Sequence, residues 1–356
     1  MDERDRDRLP FGRRRRTAAS ALVAILVAFV LGVLLNAPAM KKTAMELPFG
    51  GQRSFRLALV SPVAGVSHWV FLDRPARLAA AALGKPDPGP APVEVVVVKT
   101  RPTPRPTSAS GRPLPKPAGK PLRKPYAGHP MRLYIAGDSM VGIPGMALVN
   151  LSRGTHVIKP LLDYHISSGL VRPDFFNWPA QLQRQVRSFR PEAAVVMWGA
   201  NDNQGVQTSS GKIYEFGSGG WEKEYRKRVG DAIAILFDGG VRRIYWVGQP
   251  IMPESIYNRK ISVMNDIFRS EAGKHPGVRY IDAYKVFSSG VGYSQYLRDD
   301  KGEMQQVREG DGEHLTYAGG MRLAKVVLAA IKADWFGTKK PGAGSASSSP
   351  KATPAP

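Results

Sequence analysis

The chain contains no cysteine among its 356 residues. This absence excludes disulfide bonds, thiolate metal ligands and cysteine nucleophiles, although it leaves the cellular compartment open. Acidic residues are also scarce, because 29 Asp and Glu stand against 51 Lys and Arg, which gives a formal net charge of +22. Such a charge often indicates a nucleic-acid partner, so its location along the chain matters more than its size.

Much of the positive charge lies in a segment that has no acidic residue at all. Residues 101–124 contain seven basic residues and no acid, in a stretch dominated by proline, serine and glycine. This composition is typical of a solvated tether, and we find no nucleic-acid recognition motif of the usual kinds. We therefore expect an anionic membrane surface or an acidic envelope polymer as its partner, and no nucleic acid.

A second segment lacks charge altogether, and it follows four consecutive arginines at residues 13–16. The uncharged residues 18–35, at about 1.5 Å each in a helix, are long enough to cross a bilayer. We expect a transmembrane anchor over residues 17–38 and a basic cytoplasmic tail over residues 1–16. The arginines hold the N-terminus in the cytoplasm, so the domain that follows is expected in the periplasm, attached to the inner membrane. A cleaved signal peptide, with Ala37-Pro38-Ala39 as its cleavage site, is the open alternative.

The rest of the N-terminal part is predicted to connect this anchor to a folded domain. Residues 39–84 place aromatic and apolar residues beside arginines, which is typical of an amphipathic segment at a membrane surface. A short helical hairpin packed against the domain is the alternative. Residues 85–128 contain twelve prolines, which predicts a semi-rigid basic linker. At the other end, residues 339–356 lack the apolar residues that folding needs, so a disordered tail is expected.

Residues 129–338 alternate short apolar runs with longer helical patterns, which predicts an α/β domain. The expected strands are Met131–Ala136, Thr155–Lys159, Ala193–Gly199, Arg242–Gly248 and Arg279–Ala283. The expected helices are residues 140–153, 178–190, 221–238, 255–273 and 317–334. Strands that alternate with helices form a parallel sheet covered on both faces, and ligands bind beyond the carboxyl ends of its strands.

Residues suited to acyl transfer follow two of these strands and precede the last helix. Ser139 follows the first strand in "GDS", and Asn201 follows the third strand in "GAND". The segment "DGEH" provides Asp311 and His314. A serine hydroxyl needs a base that removes its proton during attack, and a histidine three residues after an acid suits that task. The structural alternatives are a helix-capping role for Ser139 and plain turns at the other positions.

Four blocks in this order resemble those of the SGNH hydrolases, also called GDSL esterases. The blocks are "GDS", "SSGL", "GAND" and "DGEH", and "RPDFFNWP" and "GANDNQ" further resemble an exported, membrane-anchored branch of poorly defined function. The resemblance implies a three-layer flavodoxin-like fold with a central, mostly five-stranded parallel sheet. The absence of a G-x-S-x-G motif is evidence against the α/β-hydrolase fold.

The resemblance also implies roles for individual residues. Ser139, Asp311 and His314 would form a catalytic triad. The backbone amides of Ser139 and Gly169, with the side-chain amide of Asn201, would form an oxyanion hole. No cofactor is expected, and metal binding is not predicted because the His and acid positions show no ligand spacing.

Two long loops beside these blocks, residues 203–221 and 288–312, are rich in glycine, tyrosine and polar residues. Long loops at such positions are usually functional. Four aromatic residues in them are candidates for stacking on sugar rings, with packing anchors as the alternative: Tyr214, Trp221, Tyr293 and Tyr296.

Together these patterns predict a membrane-anchored periplasmic serine esterase or O-acyltransferase that acts on an O-acylated envelope glycan or a small ester. A lipid esterase or lysophospholipase is the alternative within the enzyme class. A non-catalytic envelope-binding module is the alternative outside it. Hydrolysis and transfer use the same triad, so the sequence does not separate them, and it does not fix the oligomeric state.

Overall fold

The computed structural model describes residues 18–47, 51–69, 122–290 and 292–336, which belong to two separate units. Three of the predicted segments lie outside the described residues. They are the basic tail over residues 1–16, the greater part of the proline-rich linker and the C-terminal tail over residues 339–356.

The first unit consists of two helices, α1 (Ala18–Glu46) and α2 (Gly51–Trp69), which pack against each other. The described residues include one helix that is long and apolar enough to cross a membrane, Ala19–Met45 with a mean hydropathy of 2.5. Helix α1 passes through Pro38 and ends eight residues after the predicted end of the anchor, because good helix formers such as alanine, methionine and lysine follow. Of the segment predicted as amphipathic, residues 39–46 belong to α1 and residues 51–69 to α2, and residues 70–84 lie outside the described residues.

The second unit contains a parallel sheet of five strands in the order β2-β1-β3-β6-β7. These strands are β1 (Met131–Gly137), β2 (Ile158–Tyr164), β3 (Ala193–Met197), β6 (Arg243–Val247) and β7 (Val278–Ile281). The longer helices are α3 (Gly142–Arg153), α4 (Trp178–Ser188), α5 (Gly219–Asp238), α6 (Ser255–Gly273) and α8 (Tyr317–Phe336). Helices α3 and α8 pack together on one face and α4, α5 and α6 on the other, which confirms the predicted three-layer fold.

The two long loops, for which the sequence predicted no helix or strand, contain short elements. The first loop contains the hairpin β4 (Val206–Gln207) and β5 (Ile213–Tyr214). The second contains the hairpin β8 (Tyr296–Arg298) and β9 (Met304–Gln306), preceded by the short helix α7 (Ala283–Val286).

Strand β2 begins three residues after the predicted start. The reason is that the chain turns after α3, where His156 takes a left-handed backbone conformation with φ of 56°. Strand β2 then includes Pro160, which has no N–H to donate. A proline is tolerated there because β2 is the edge strand of the sheet.

Residues 122–128, which were predicted as linker, contact the folded unit. The Arg123 guanidinium donates to both carboxylate oxygens of Glu192 at 2.7 Å each, and it also donates to the carbonyls of His129 and Pro130. This two-pronged ion pair ties the chain to the sheet before β1 begins, so the folded unit extends upstream of the predicted boundary at residue 129.

Helix α4 packs against the glycine pair that follows α5, where the sequence predicted the helix end. A Cβ added to Gly239 would lie 2.3 Å from the Cβ of Val186, whereas one added to Gly230, in the interior of α5, has no neighbour within 4 Å. The glycine in α5 and the glycine that caps it therefore differ in packing.

We predict opposite effects of alanine at these two positions. Gly239→Ala should lower the free energy of unfolding by about 1 to 3 kcal/mol, because the methyl group overlaps the side chain of α4. Gly230→Ala should raise it by about 0.5 to 1 kcal/mol, since alanine favours the helix. Thermal melts of both variants measure the difference, and equal melting temperatures would contradict the predicted contact.

Candidate active site

Asp138 follows β1 directly, and Ser139 after it begins a single turn of 3-10 helix over Ser139–Val141. Asp138, not Ser139, caps this turn, because its Oδ1 accepts the N–H of Met140 at 3.0 Å. The capping alternative for Ser139 is therefore wrong. The residue before the cap has to be small, since a Cβ on Gly137 would lie 2.0 Å from the carbonyl oxygen of Met197 on β3.

The structure brings the three predicted triad side chains together. His314 Nε2 lies 3.0 Å from Ser139 Oγ, and His314 Nδ1 lies 2.7 Å from Asp311 Oδ2. An acceptor at Nδ1 fixes the imidazole tautomer that carries its hydrogen there, which leaves the Nε2 lone pair to accept the serine proton. The arrangement can therefore move a proton from Ser139 to His314.

Asp311 is fixed by its own loop. Its Oδ1 accepts the backbone N–H groups of Glu313 at 2.8 Å and His314 at 2.9 Å, while Oδ2 faces the imidazole. Partial burial acts to raise the pKa of Asp311, but the hydrogen bonds from His314 and Glu313 outweigh it and hold the pKa below its usual range. Asp311 is therefore a carboxylate at neutral pH.

Asp138 links the Ser139 turn to the segment after β3. Its carboxylate is fully buried, and Oδ2 accepts the N–H groups of Gly199 and Ala200 at 3.0 Å each. Burial raises the pKa of Asp138 to about 7, against the lowering effect of its backbone hydrogen bonds. The first and third sequence blocks are thus held together by one side chain.

Asp202 makes the corresponding link between the third and second blocks. It is fully buried and accepts the N–H groups of Leu170 at 3.1 Å and Val171 at 3.0 Å, with the hydroxyl of Tyr225 at 2.8 Å. Burial raises its pKa as well. A Cβ on Gly169 would lie 2.1 Å from Asp202 Oδ1, so the second block has room only for glycine there.

The groups predicted for the oxyanion hole lie on these linked loops. The Asn201 side-chain nitrogen donates to the carbonyl of Ser168, the neighbour of Gly169, at 3.0 Å, and this leaves its second hydrogen free for a ligand. Within the described part of the chain, the backbone amides of Ser139 and Gly169 have no hydrogen-bond acceptor. Three unused donors thus belong to loops at the carboxyl ends of β1, β2 and β3.

The four aromatic residues predicted to stack on sugars have different environments. Trp221 is fully buried, stacks on Tyr225 and donates to the carbonyl of Gln204 at 2.8 Å, so its prediction as a substrate contact is wrong. Tyr214 packs over Gly220, and Tyr293 donates to the carbonyl of Gly312 at 3.0 Å. Tyr296 is 47% exposed on β8, and its role stays a prediction.

A polar cleft of about 390 Å³ borders Asn201. The segment after β3, the start of α6 and the loop that carries His314 line it, through residues that include Asn201, Asn203, Gln204, Tyr257, Lys260 and Glu313. Tyr257 donates to the carbonyl of Ala200 at 2.9 Å, and Lys260 donates to the carbonyl of Asn203 at 3.3 Å. The α6 residues were not predicted, because no motif marks them in the sequence.

Arg308 supports the loop that carries Asp311 and His314, and it too was missed. Its buried guanidinium donates to the carbonyls of Glu313 at 2.8 Å and Ile251 at 2.7 Å. It also lies over the ring of Phe287 at 4.8 Å. Among the described residues no carboxylate pairs with it, and burial lowers its pKa to about 10.

Comparison with known proteins gives one family and several similar structures. The family model described as "Protein of unknown function (DUF459)" matches residues 132–330. Among curated proteins, none is significantly similar in sequence.

Three of the similar structures are named by their descriptions. LAE5, an alpha/beta hydrolase enzyme from the metagenome of Lake Arreo in Spain, is 17% identical with a TM-score of 0.41, over 56% of this chain and 94% of that chain. Axe2, an acetylxylan esterase from Geobacillus stearothermophilus, is 14% identical with a TM-score of 0.40, and the match covers 58% of this chain and 95% of Axe2. The catalytic domain of peptidoglycan O-acetyltransferase A from Streptococcus pneumoniae is 13% identical with a TM-score of 0.39. The match covers 58% of this chain and 94% of that domain.

We predict that Arg308→Met destabilises the loop over residues 309–316 more than the rest of the unit. The substitution leaves the carbonyls of Glu313 and Ile251 buried without a donor, which should lower the free energy of unfolding by about 2 to 4 kcal/mol. Hydrogen exchange measured by mass spectrometry should show faster exchange in that loop.

The matched control is Arg279→Met. Arg279 is on β7, outside this loop, and its guanidinium lies 2.7 Å from the carboxylate of Asp334. Its exchange at residues 309–316 should equal that of the wild type. If Arg308→Met also leaves exchange in the loop unchanged, Arg308 does not support it.

Proposed function

The chain belongs to the DUF459 family of proteins of unknown function, and we propose that it is an SGNH-type serine esterase or O-acyltransferase. The observation that supports this proposal is the line of hydrogen bonds from Ser139 Oγ through His314 to Asp311, at 3.0 and 2.7 Å. A serine beside a base that is itself oriented by a carboxylate is the arrangement that activates a hydroxyl for attack on an ester.

In the first step Ser139 Oγ attacks the ester carbonyl while its proton passes to His314 Nε2. Asp311 stabilises the imidazolium that forms. The carbonyl oxygen becomes an oxyanion, which accepts hydrogen bonds from the backbone amides of Ser139 and Gly169 and from the Asn201 side chain. Each such donor typically stabilises the transition state by about 3 kcal/mol.

In the second step the tetrahedral intermediate collapses. His314 gives its proton to the leaving alcohol, and the acyl group stays on Ser139 as an ester. Water or a sugar hydroxyl then attacks this acyl-enzyme with His314 again as the base. The bond from the acyl carbon to Ser139 Oγ breaks, and His314 returns the proton to that oxygen. The His314 side chain is 41% exposed, so the site is open enough for either acceptor to approach.

We propose an O-acylated envelope glycan as the substrate. The lining of the cleft beside Asn201 supports a sugar substrate. It contains amides, carboxylates, a lysine and a tyrosine, and such groups bind hydroxyl-rich ligands. A long acyl chain would need an apolar channel instead. Tyr296 remains a candidate for stacking on a sugar ring, since its ring is exposed on β8.

The proposed location is the inner membrane, with the N-terminus in the cytoplasm and the catalytic domain in the periplasm. Helix α1 supports an anchor by its length and hydropathy, and the arginines at residues 13–16 support this orientation. An envelope glycan would then be within reach of the domain.

For the activity, we predict that Ser139→Ala lowers kcat/KM on p-nitrophenyl acetate by about a thousandfold or more, since the nucleophile is lost. The assay uses the full chain in a mild detergent, and Ser188→Ala, an exposed serine on α4, serves as the control with unchanged turnover. Equal activity of wild type and Ser139→Ala would exclude the proposed mechanism.

The same two variants test the substrate class by mass spectrometry. The wild type should remove or transfer acyl groups on an O-acetylated glycan, and Ser139→Ala should not. Turnover of lysophospholipids but not of the glycan would instead identify a lipid esterase.

For the location, we predict that alkaline phosphatase fused after Trp69 is active and that green fluorescent protein fused at the same position is dark. Both results follow if residues beyond α1 are exported, because the phosphatase needs oxidation and the fluorescent protein does not mature after export through the general pathway. The opposite pair of results would place the domain in the cytoplasm.

A further inference from the structure

A basic cleft of about 520 Å³ lies at the other end of the sheet from Ser139. Four arginines and one acid line it: Arg132, Arg187, Arg190, Arg242 and Glu192. Backbone hydrogen bonds join three of these residues: Glu192 N donates to the carbonyl of Arg132 at 2.9 Å, and Arg242 N donates to the carbonyl of Glu192 at 2.8 Å. These residues stand at the amino ends of β1, β3 and β6, whereas Ser139 follows the carboxyl end of β1.

The charge of this cleft is positive and is not balanced from within. Glu192 is its one carboxylate, and both oxygens of that carboxylate already accept hydrogen bonds from Arg123. Arg132 also pairs with Glu192 at 3.7 Å and donates through Nε to the carbonyl of Arg190 at 2.6 Å. With four arginines against one carboxylate, the lining keeps a net positive charge.

The fold does not use these arginines to cap the neighbouring helices. The last turn of α5 is capped by the backbone, since Gly239 N donates to the carbonyl of Ile235 at 3.0 Å. The end of α4 is capped in the same way, by the amides of Phe189 and Arg190 on the carbonyl of Gln185. Helix ends with this many backbone donors do not need a cationic side chain.

Two of the four guanidinium groups have no partner within the described part of the chain. Arg187 and Arg190 are exposed, and neither side chain forms a hydrogen bond or an ion pair there. Arg190 also has a φ of 53°, a left-handed conformation that normally favours glycine or asparagine. The backbone of Arg190 is held by hydrogen bonds to Gln185 and from Arg132, but its guanidinium group contributes no contact within the described residues.

We propose that this cleft binds the phosphate group of an anionic membrane lipid. Guanidinium groups form two parallel hydrogen bonds with phosphate oxygens, and several of them around one concave surface suit a single phosphate. The chain enters the domain at this end, where Arg123 pairs with Glu192. In the sequence, the residues before this entry are basic and contain no acid from residue 101 onward. Phosphate binding here turns the end that carries Ser139 away from the membrane.

The test uses the full chain in lipid nanodiscs and hydrogen exchange measured by mass spectrometry. One set of discs contains phosphatidylcholine alone, and the other includes phosphatidylglycerol. Exchange in residues 184–192 and 238–243 should be slower in the anionic discs only. In the double variant Arg187→Gln/Arg190→Gln, the protection factor gained in the anionic discs should fall by about tenfold or more. The reason is that each arginine near an anionic surface contributes a several-fold gain in binding.

A control double variant, Lys223→Gln/Lys332→Gln, removes the same charge at exposed positions outside the cleft and should keep the protection. The proposal is overturned if the anionic discs give no protection, or if both double variants lose it equally. Protection by inorganic phosphate in phosphatidylcholine discs, equal to that in anionic discs, would assign the cleft to free phosphate and not to lipid. Ser139→Ala should behave as the wild type throughout, so the result does not depend on the catalytic activity.

Discussion

Two fully buried carboxylates hold together the loops on which the candidate active site depends. Asp138 accepts three backbone N–H groups, and Asp202 accepts two backbone N–H groups and the Tyr225 hydroxyl. Burial of a carboxylate is unfavourable unless hydrogen bonds satisfy it, and here each accepts at least two from a distant segment of the chain. The carboxyl ends of β1 and β3 therefore keep a fixed geometry, and with them Ser139, Gly169 and Asn201.

The sequence predicted the sheet and the polar residues of the site because both depend on local patterns. Apolar runs mark the five strands. Ser139 and Asn201 lie in short motifs after two of these strands, and His314 lies in one before the last helix. The start of β2 was misplaced because it depends on the left-handed backbone of His156, and a histidine in the sequence does not by itself predict that conformation. Trp221 was misassigned since residue type alone does not distinguish an exposed aromatic from a packed one.

Other parts of the site depend on contacts between distant segments, which no single-sequence pattern records. Arg308 reaches the carbonyl of Ile251, 57 residues earlier in the chain, and Asp202 reaches Leu170, 32 residues earlier. An arginine or aspartate in a polar segment normally indicates solvent exposure, yet both of these are buried. Their importance follows from the packing around them, and it became visible only with the fold.

The contacts of the proposed triad are of two kinds, one within a single turn and one between distant segments. Four consecutive residues orient Asp311 and His314 against each other, because the carboxylate accepts two amides of its own turn and the imidazole of the same turn. The contact between His314 and Ser139 instead joins residues 175 positions apart. Asp311 and His314 are thus oriented within one turn, whereas the contact of His314 with Ser139 requires the two ends of the folded domain to meet.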